Sequence, residues 1–357
     1  MKHEEVKSIL SGLYPKFSMN LMGRTGIGKS DIIRGFASEK GGEKFVEWNK
    51  LSLEEKKQIA YSKGENFILV DLRLSQVEPT DITGVPFPEN GSCIYKKQLW
   101  VHALHNNPGV LFLDEMNLAS PSVLSASYQI ILDKVVGDIP LHKDVMVLTA
   151  GNLQEDRAYT FELPLPIQSR MFMYNLDVPT IEEWTSWAVE NEIDSRVVTY
   201  LNRFQQMLFY EKDDLNLIIT PRGWEFIGTA IKGVESFKAV EKIAQGILKG
   251  KAKEFVTFIK LIEKIPKPED LLDKNVKFPE ELDQRFITIS MLTEHYRKDV
   301  KKEVLKKIFD LKDELDAEYH ILLMRLVRAV DKDFFKKTII GDTKLTEIMK
   351  GYFKYLA

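Results

Sequence analysis

At 357 residues, with 44% apolar and 29% charged side chains, the chain has the composition of a soluble globular protein of about two domains. Its formal net charge of −3 gives no overall field to gather nucleic acid or an anionic membrane. One cysteine, Cys93, rules out an intrachain disulfide framework, and no apolar run approaches the ~20 residues needed to span a bilayer.

The N-terminal MKHEEVKSILSGLY is charged and helix-like, without the apolar core of a signal peptide, so a cytoplasmic protein is expected. Phe17–Met22 predicts a short strand that runs into a glycine-rich turn, and a helix follows to about Lys40. Phe67–Leu72 predicts a second, buried strand. In residues 85–98, Asn90-Gly91 stands between short β-like arms, a strong hairpin signal. A helix near Leu99–His105 precedes the all-apolar run Val110–Leu113, which ends in the paired acids Asp114 and Glu115. Ser120-Pro121 suits a helix N-cap and first turn, and Val145–Ala150 predicts another buried strand. Strands alternating with helical crossovers predict an α/β fold, a parallel sheet flanked by helices. From about Thr180 apolar residues recur at helical spacing. Trp184 and Trp187 mark one buried face, and Pro266, Pro268 and Pro279 fall in a charged joint between helical units.

The turn after the first strand reads Gly23-Arg24-Thr25-Gly26-Ile27-Gly28-Lys29-Ser30, the pattern G-x-x-x-x-G-K-[ST] of a phosphate-binding loop. Its glycines let backbone N–H groups turn inward around phosphate oxygens, and the following helix aims its N-terminus at them. In that setting Lys29 contacts the β- and γ-phosphates of ATP and Ser30 places its hydroxyl on Mg²⁺. Asp114, expected at the end of a neighbouring strand, orients the same ion, and Glu115 polarises the attacking water. Asn152, after Thr149-Ala150-Gly151, can hydrogen-bond that water or the γ-phosphate. Arg170, which ends LPLPIQSR, reads either as a surface ion-pair residue or as an arginine finger reaching a neighbour's nucleotide, with Arg157 a competitor. Arg222, in the first turn of a helix opened by Thr220-Pro221, works against the helix dipole and calls for an anion such as a γ-phosphate.

In this order GRTGIGKS, VLFLDEMN, TAGN, LPIQSR and TPRGW resemble the motifs of the AAA+ ATPases, and of their MoxR-like, dynein-related branch. The stretch LRLSQVEPTDITGVPF is also similar to MoxR-like proteins, and the resemblance covers about residues 10–250. It implies a P-loop NTPase core over residues 1–178 with a hairpin insertion at 85–98, an all-α lid at 179–250, and a helical C-terminal region at 251–357 of unassigned role. It further implies a homo-oligomeric ring, most often a hexamer, that remodels a protein substrate in a chaperone-like way, frequently beside a partner with a von Willebrand factor type A domain. Two other readings stay open: a nucleic-acid motor or restriction-type translocase subunit, for which Lys96 and Lys97 are the obvious pair and which the overall charge opposes, and a nucleotide-gated assembly scaffold with incidental turnover. The 85–98 hairpin reads equally as a pore- or substrate-facing insertion and as a cap on the sheet.

Overall fold

The computed structural model describes residues 1–153, 163–212, 217–273 and 276–356. The chain divides into two compact units, Met1–Val178 and Pro179–Ala357.

The first unit opens with α1 (His3–Leu13), β1 (Met19–Gly23), α2 (Lys29–Gly41), β2 (Phe45–Glu47), α3 (Leu53–Tyr61) and β3 (Phe67–Arg73). It continues through α4 (Pro79–Thr83), β4 (Val85–Glu89), β5 (Ser92–Lys96), α5 (Leu99–Asn106), β6 (Gly109–Asp114) and α6 (Pro121–Asp133). The short β7 (Val135–Val136) and β8 (Ile139–Pro140), then β9 (Val145–Asn152), α7 (Leu165–Gln168) and β10 (Phe172–Leu176) complete it. Six strands form one sheet in the order β10-β1-β9-β6-β3-β2, and every adjacent pair is parallel.

Parallel pairing explains the apolar runs. In β6, Leu111 and Leu113 point into a cluster with Trp100 and Val101 of α5 and Val123 and Leu124 of α6. Val110 and Phe112 alternate to the opposite face and are equally buried, where α2 packs against β3, β6 and β9. Helix starts follow local chemistry. Ser52 accepts from the Glu55 N–H while Glu55 accepts from the Ser52 N–H, and the Ser120 hydroxyl accepts from Val123.

In the second unit one apolar cluster runs from Ile181 through Trp224, Phe255 and Tyr296 to Met349. Helices on both sides of residue 250 therefore share a core. Trp184 is buried and Trp187 packs against the same cluster, their ring centroids 6.3 Å apart. A two-stranded antiparallel ribbon, Tyr210–Lys212 with Leu217–Ile219, is added to the helices. Among the described residues no helix is long and apolar enough to cross a membrane.

Candidate functional site

Because the large sheet is parallel, its strands all end on one edge, the place where open α/β sheets bind ligands. Register sets the neighbours. Gly23 pairs with Asn152, Leu113 with Thr149, and Arg73 with Asp114. Asp114 does not end a strand adjacent to the phosphate loop, as the sequence suggested. Strand β9 lies between β1 and β6 and brings Asn152 between the loop and the acids. Chain order concealed this, since β9 comes after β6 in sequence.

Within the loop, Gly26 and Gly28 take φ of 69° and 97°, a region that a side chain disfavours. Gly28 is the residue just before α2, so the loop turns directly into the helix N-terminus. Ile27 is buried and fixes the loop from below, while Arg24 and Thr25 are partly exposed. The Lys29 side chain is gathered in: Nζ donates to Gly23 O at 2.7 Å, to Arg24 O at 2.9 Å and to Asn152 Oδ1 at 2.9 Å. Loop, ammonium and strand-end amide are thereby joined in one polar cluster.

The acid pair divides into two environments. Asp114 accepts at Oδ2 from the Ser30 hydroxyl, 3.0 Å away, and at Oδ1 from the Glu115 N–H at 2.8 Å. Glu115 sits in the left-handed region at φ 56°, which is strained for a residue with a side chain. That turn lets the two carboxylates diverge, and Glu115 Oε2 accepts a short hydrogen bond from Ser75. Ser30 and Asp114 are hard oxygen donors side by side, which fits Mg²⁺, an ion that takes few protein ligands and keeps several waters. Among the described residues no group of three or more His, Cys, Asp or Glu side chains gathers as an alternative metal cage.

Several residues behind the edge escaped the sequence reading. Asn117, 2% exposed, donates from Nδ2 to Asn152 O at 2.7 Å and accepts at Oδ1 from Asn152 N at 3.0 Å. Gly151 is required beside it, since a Cβ there would lie 2.7 Å from Asn117 Oδ1. Asp71, on β3, is pushed up to about 6 by burial and, secondarily, by the nearby Asp114 charge, against the pull of Arg73 and Arg34. Asn49 clasps its backbone with bonds of 2.8 and 3.0 Å. Asn117 stood inside VLFLDEMN, and Asp71 was the lone acid in FILVDL. Ser75 stood inside LRLSQVEPTDITGVPF with no role of its own.

Arg170 is exposed two residues beyond the short α7, with Nη1 donating to Pro166 O at 3.2 Å. Buried Met171 separates it from the edge strand β10, whose Phe172 and Met173 are exposed. Arg157 lies outside the described residues. Arg222 belongs to the second unit and is exposed in the first turn of helix Pro221–Ala230, where the Thr220 hydroxyl accepts from Gly223 N at 3.1 Å.

No known family's sequence pattern and no curated protein matches the chain. Among solved structures it is similar to PCH-2 of C. elegans, at 16% identity over 82% of this chain and 69% of that one, with a TM-score of 0.31. A putative ATPase of Cytophaga hutchinsonii gives 14% over 92% and 89%, with a TM-score of 0.33. A point mutant of Thermotoga maritima RuvB gives 14% over 96% and 88%, with a TM-score of 0.29. At these scores the functional case rests on the geometry of the site itself.

Proposed function

We propose that the chain is a Mg²⁺-dependent ATPase of the AAA+ kind, which works as a ring and couples hydrolysis to remodelling of a protein partner. The observation that carries the hydrolytic reading is the convergence of Lys29, Ser30, Asp114, Glu115 and Asn152 on one edge of the sheet.

Each residue has a distinct task. The N–H groups at the start of α2 and the Lys29 ammonium bind the β- and γ-phosphate oxygens. Ser30 and Asp114 would hold Mg²⁺, which would supply positive charge against those oxygens. Glu115 accepts the proton of the attacking water, and Ser75 keeps that carboxylate in one orientation meanwhile. Asn152, fixed through its backbone by Asn117, orients the water or the γ-phosphate with its side-chain amide. Arg170 serves as the finger in trans, with Arg157 the competing residue. Exposure of Arg170 beside the apolar edge Phe172–Met173 supports a surface against which a second copy packs. A γ-phosphate-sensing role for Arg222 rests on the motif resemblance of TPRGW alone. A hexameric ring, the MoxR-like remodelling role and a von Willebrand factor type A partner rest on the motif resemblance.

The test is the ATPase rate per subunit against protein concentration, with mass determination in ATP and Mg²⁺, for wild type and Arg170→Ala. A rate that climbs as rings assemble and is lost in the variant supports composite sites. A flat rate from a monomer refutes the ring.

A further inference from the structure

All strand residues of the hairpin β4–β5 are exposed. Asn90 and Gly91, at φ 49° and 79°, close it as a two-residue turn. The register pairs Glu89 with Ser92, Phe87 with Ile94 and Val85 with Lys96, and between these Pro88 with Cys93 and Pro86 with Tyr95. The pair that flanks a two-residue turn exchanges both hydrogen bonds, and bonded and unbonded pairs then alternate. Pro86 and Pro88 therefore fall at unbonded pairs. Proline chemistry demands the same assignment, because neither residue has an N–H to give.

Backbone groups at unbonded pairs point away from the partner strand. On β4 the outer edge has consequently lost its donors at Pro86 and Pro88. On β5 the outer edge keeps both N–H and C=O at Cys93 and Tyr95. Among the described residues this sheet has two strands, β4 and β5, so one edge of it is blunted and the other is open.

We propose that the open β5 edge is a docking site for an extended segment of a polypeptide partner, added as a third strand beside Cys93 and Tyr95. This rests on the protein-remodelling reading and supplies its mode of engagement. The exposed donors and acceptors recur every second residue, about 6.8 Å apart, which is the repeat of an extended peptide's own carbonyls and amides. On one face of the hairpin Val85, Phe87 and Ile94 offer exposed apolar surface, with the Lys96 ammonium 3.6 Å from the Phe87 ring centroid. An incoming strand with an apolar residue beside Ile94 and an acid beside Lys96 complements that face. The foot of the hairpin is fixed. Lys97, whose side chain is 4% exposed, donates to Thr83 O at 2.9 Å and pairs with Asp138 at 3.4 Å, so the edge is held in place before a partner arrives.

The test uses the full chain with reduced, carboxymethylated α-lactalbumin, an acidic polypeptide that stays unfolded, as probe. Probe binding is read by fluorescence anisotropy with and without ATP, together with amide hydrogen exchange and ATP turnover in the absence of probe. Tyr95→Pro removes an outward donor while sparing the bonded pairs, and Tyr95→Val keeps the donor while removing the ring. Cys93→Pro repeats the deletion at the other outward position. Each proline variant is expected to bind about tenfold more weakly, Tyr95→Val to bind nearly as wild type, and probe binding to slow exchange at the Cys93 and Tyr95 amides of wild type. Turnover without probe should match wild type in all three, which separates edge loss from misfolding. Equal weakening in Tyr95→Pro and Tyr95→Val, undiminished binding in the proline variants, or unaltered exchange at the two amides would each overturn the strand-edge proposal. Absence of ATP turnover in wild type would instead refute the hydrolytic reading, and it is scored independently of the probe.

Discussion

Asn117→Ala isolates the contribution of a buried side chain whose amide bonds the backbone of Asn152. Its amide makes two hydrogen bonds, one to each backbone group of Asn152, and it is 2% exposed. At about 1 kcal/mol net for each bond, the substitution should lower stability by roughly 2 kcal/mol, read by urea denaturation at equilibrium. The larger effect should fall on turnover. Asn152 also accepts from Lys29 at 2.9 Å, so releasing its backbone loosens the amide proposed to orient the attack. A displacement near 1 Å costs about 10²-fold in rate, whereas phosphate binding through the loop and α2 should change little. Asn117→Asp keeps an acceptor for the Asn152 N–H but sets a lone pair against the Asn152 carbonyl, and should fall at least as far. ATP affinity by titration and turnover by phosphate release separate the two quantities. Wild-type turnover in Asn117→Ala, with the loss of stability confirmed, would refute the argument that this clamp positions Asn152.

Lys29→Ala should abolish ATP binding, since it removes the cation that the loop gathers; titration showing retained tight binding would sink the phosphate-loop assignment. Glu115→Gln should bind ATP yet turn over ~10²–10⁴-fold more slowly in a single-turnover assay, as for loss of a general base. Ser75→Ala should lower turnover less than Glu115→Gln does and leave ATP affinity unchanged, because Ser75 acts only by holding the Glu115 carboxylate. The raised pKa of Asp71 gives a stability that depends on pH. Ionising a buried carboxyl whose folded pKa is about 6 opposes folding, so its cost is absent below the ordinary carboxylate pKa and grows as pH rises through 6. Measured in EDTA, Asp71→Asn should therefore gain stability over wild type above pH 6 and lose that advantage below pH 4; a pH-independent difference would contradict the burial argument.

Much of the site was legible because its chemistry is written in contiguous residues. Gly23 to Ser30 must be one unbroken segment, since a single turn has to wrap phosphate oxygens and then open a helix. The run from Val110 into Asp114 and Glu115 likewise announces a doubly covered strand that ends in acids. Asn90-Gly91 fixed the hairpin for the same local reason, a pair of positive φ angles that few residues tolerate. The clamp and the shared charges were not legible, because they join positions distant in the chain. Asn117 meets Asn152 and Ser75 meets Glu115 only after β9 and β3 take their places beside β6. By itself the sequence determined where the glycine-rich turn, the acid pair and the hairpin turn lie, since these depend on residue type and local backbone. The tertiary structure decided that Asn152 lies between loop and acids, that Asp71 is buried near Asp114, and that the hairpin has one open edge. Those facts depend on strand order, register and solvent exclusion, which no single segment contains.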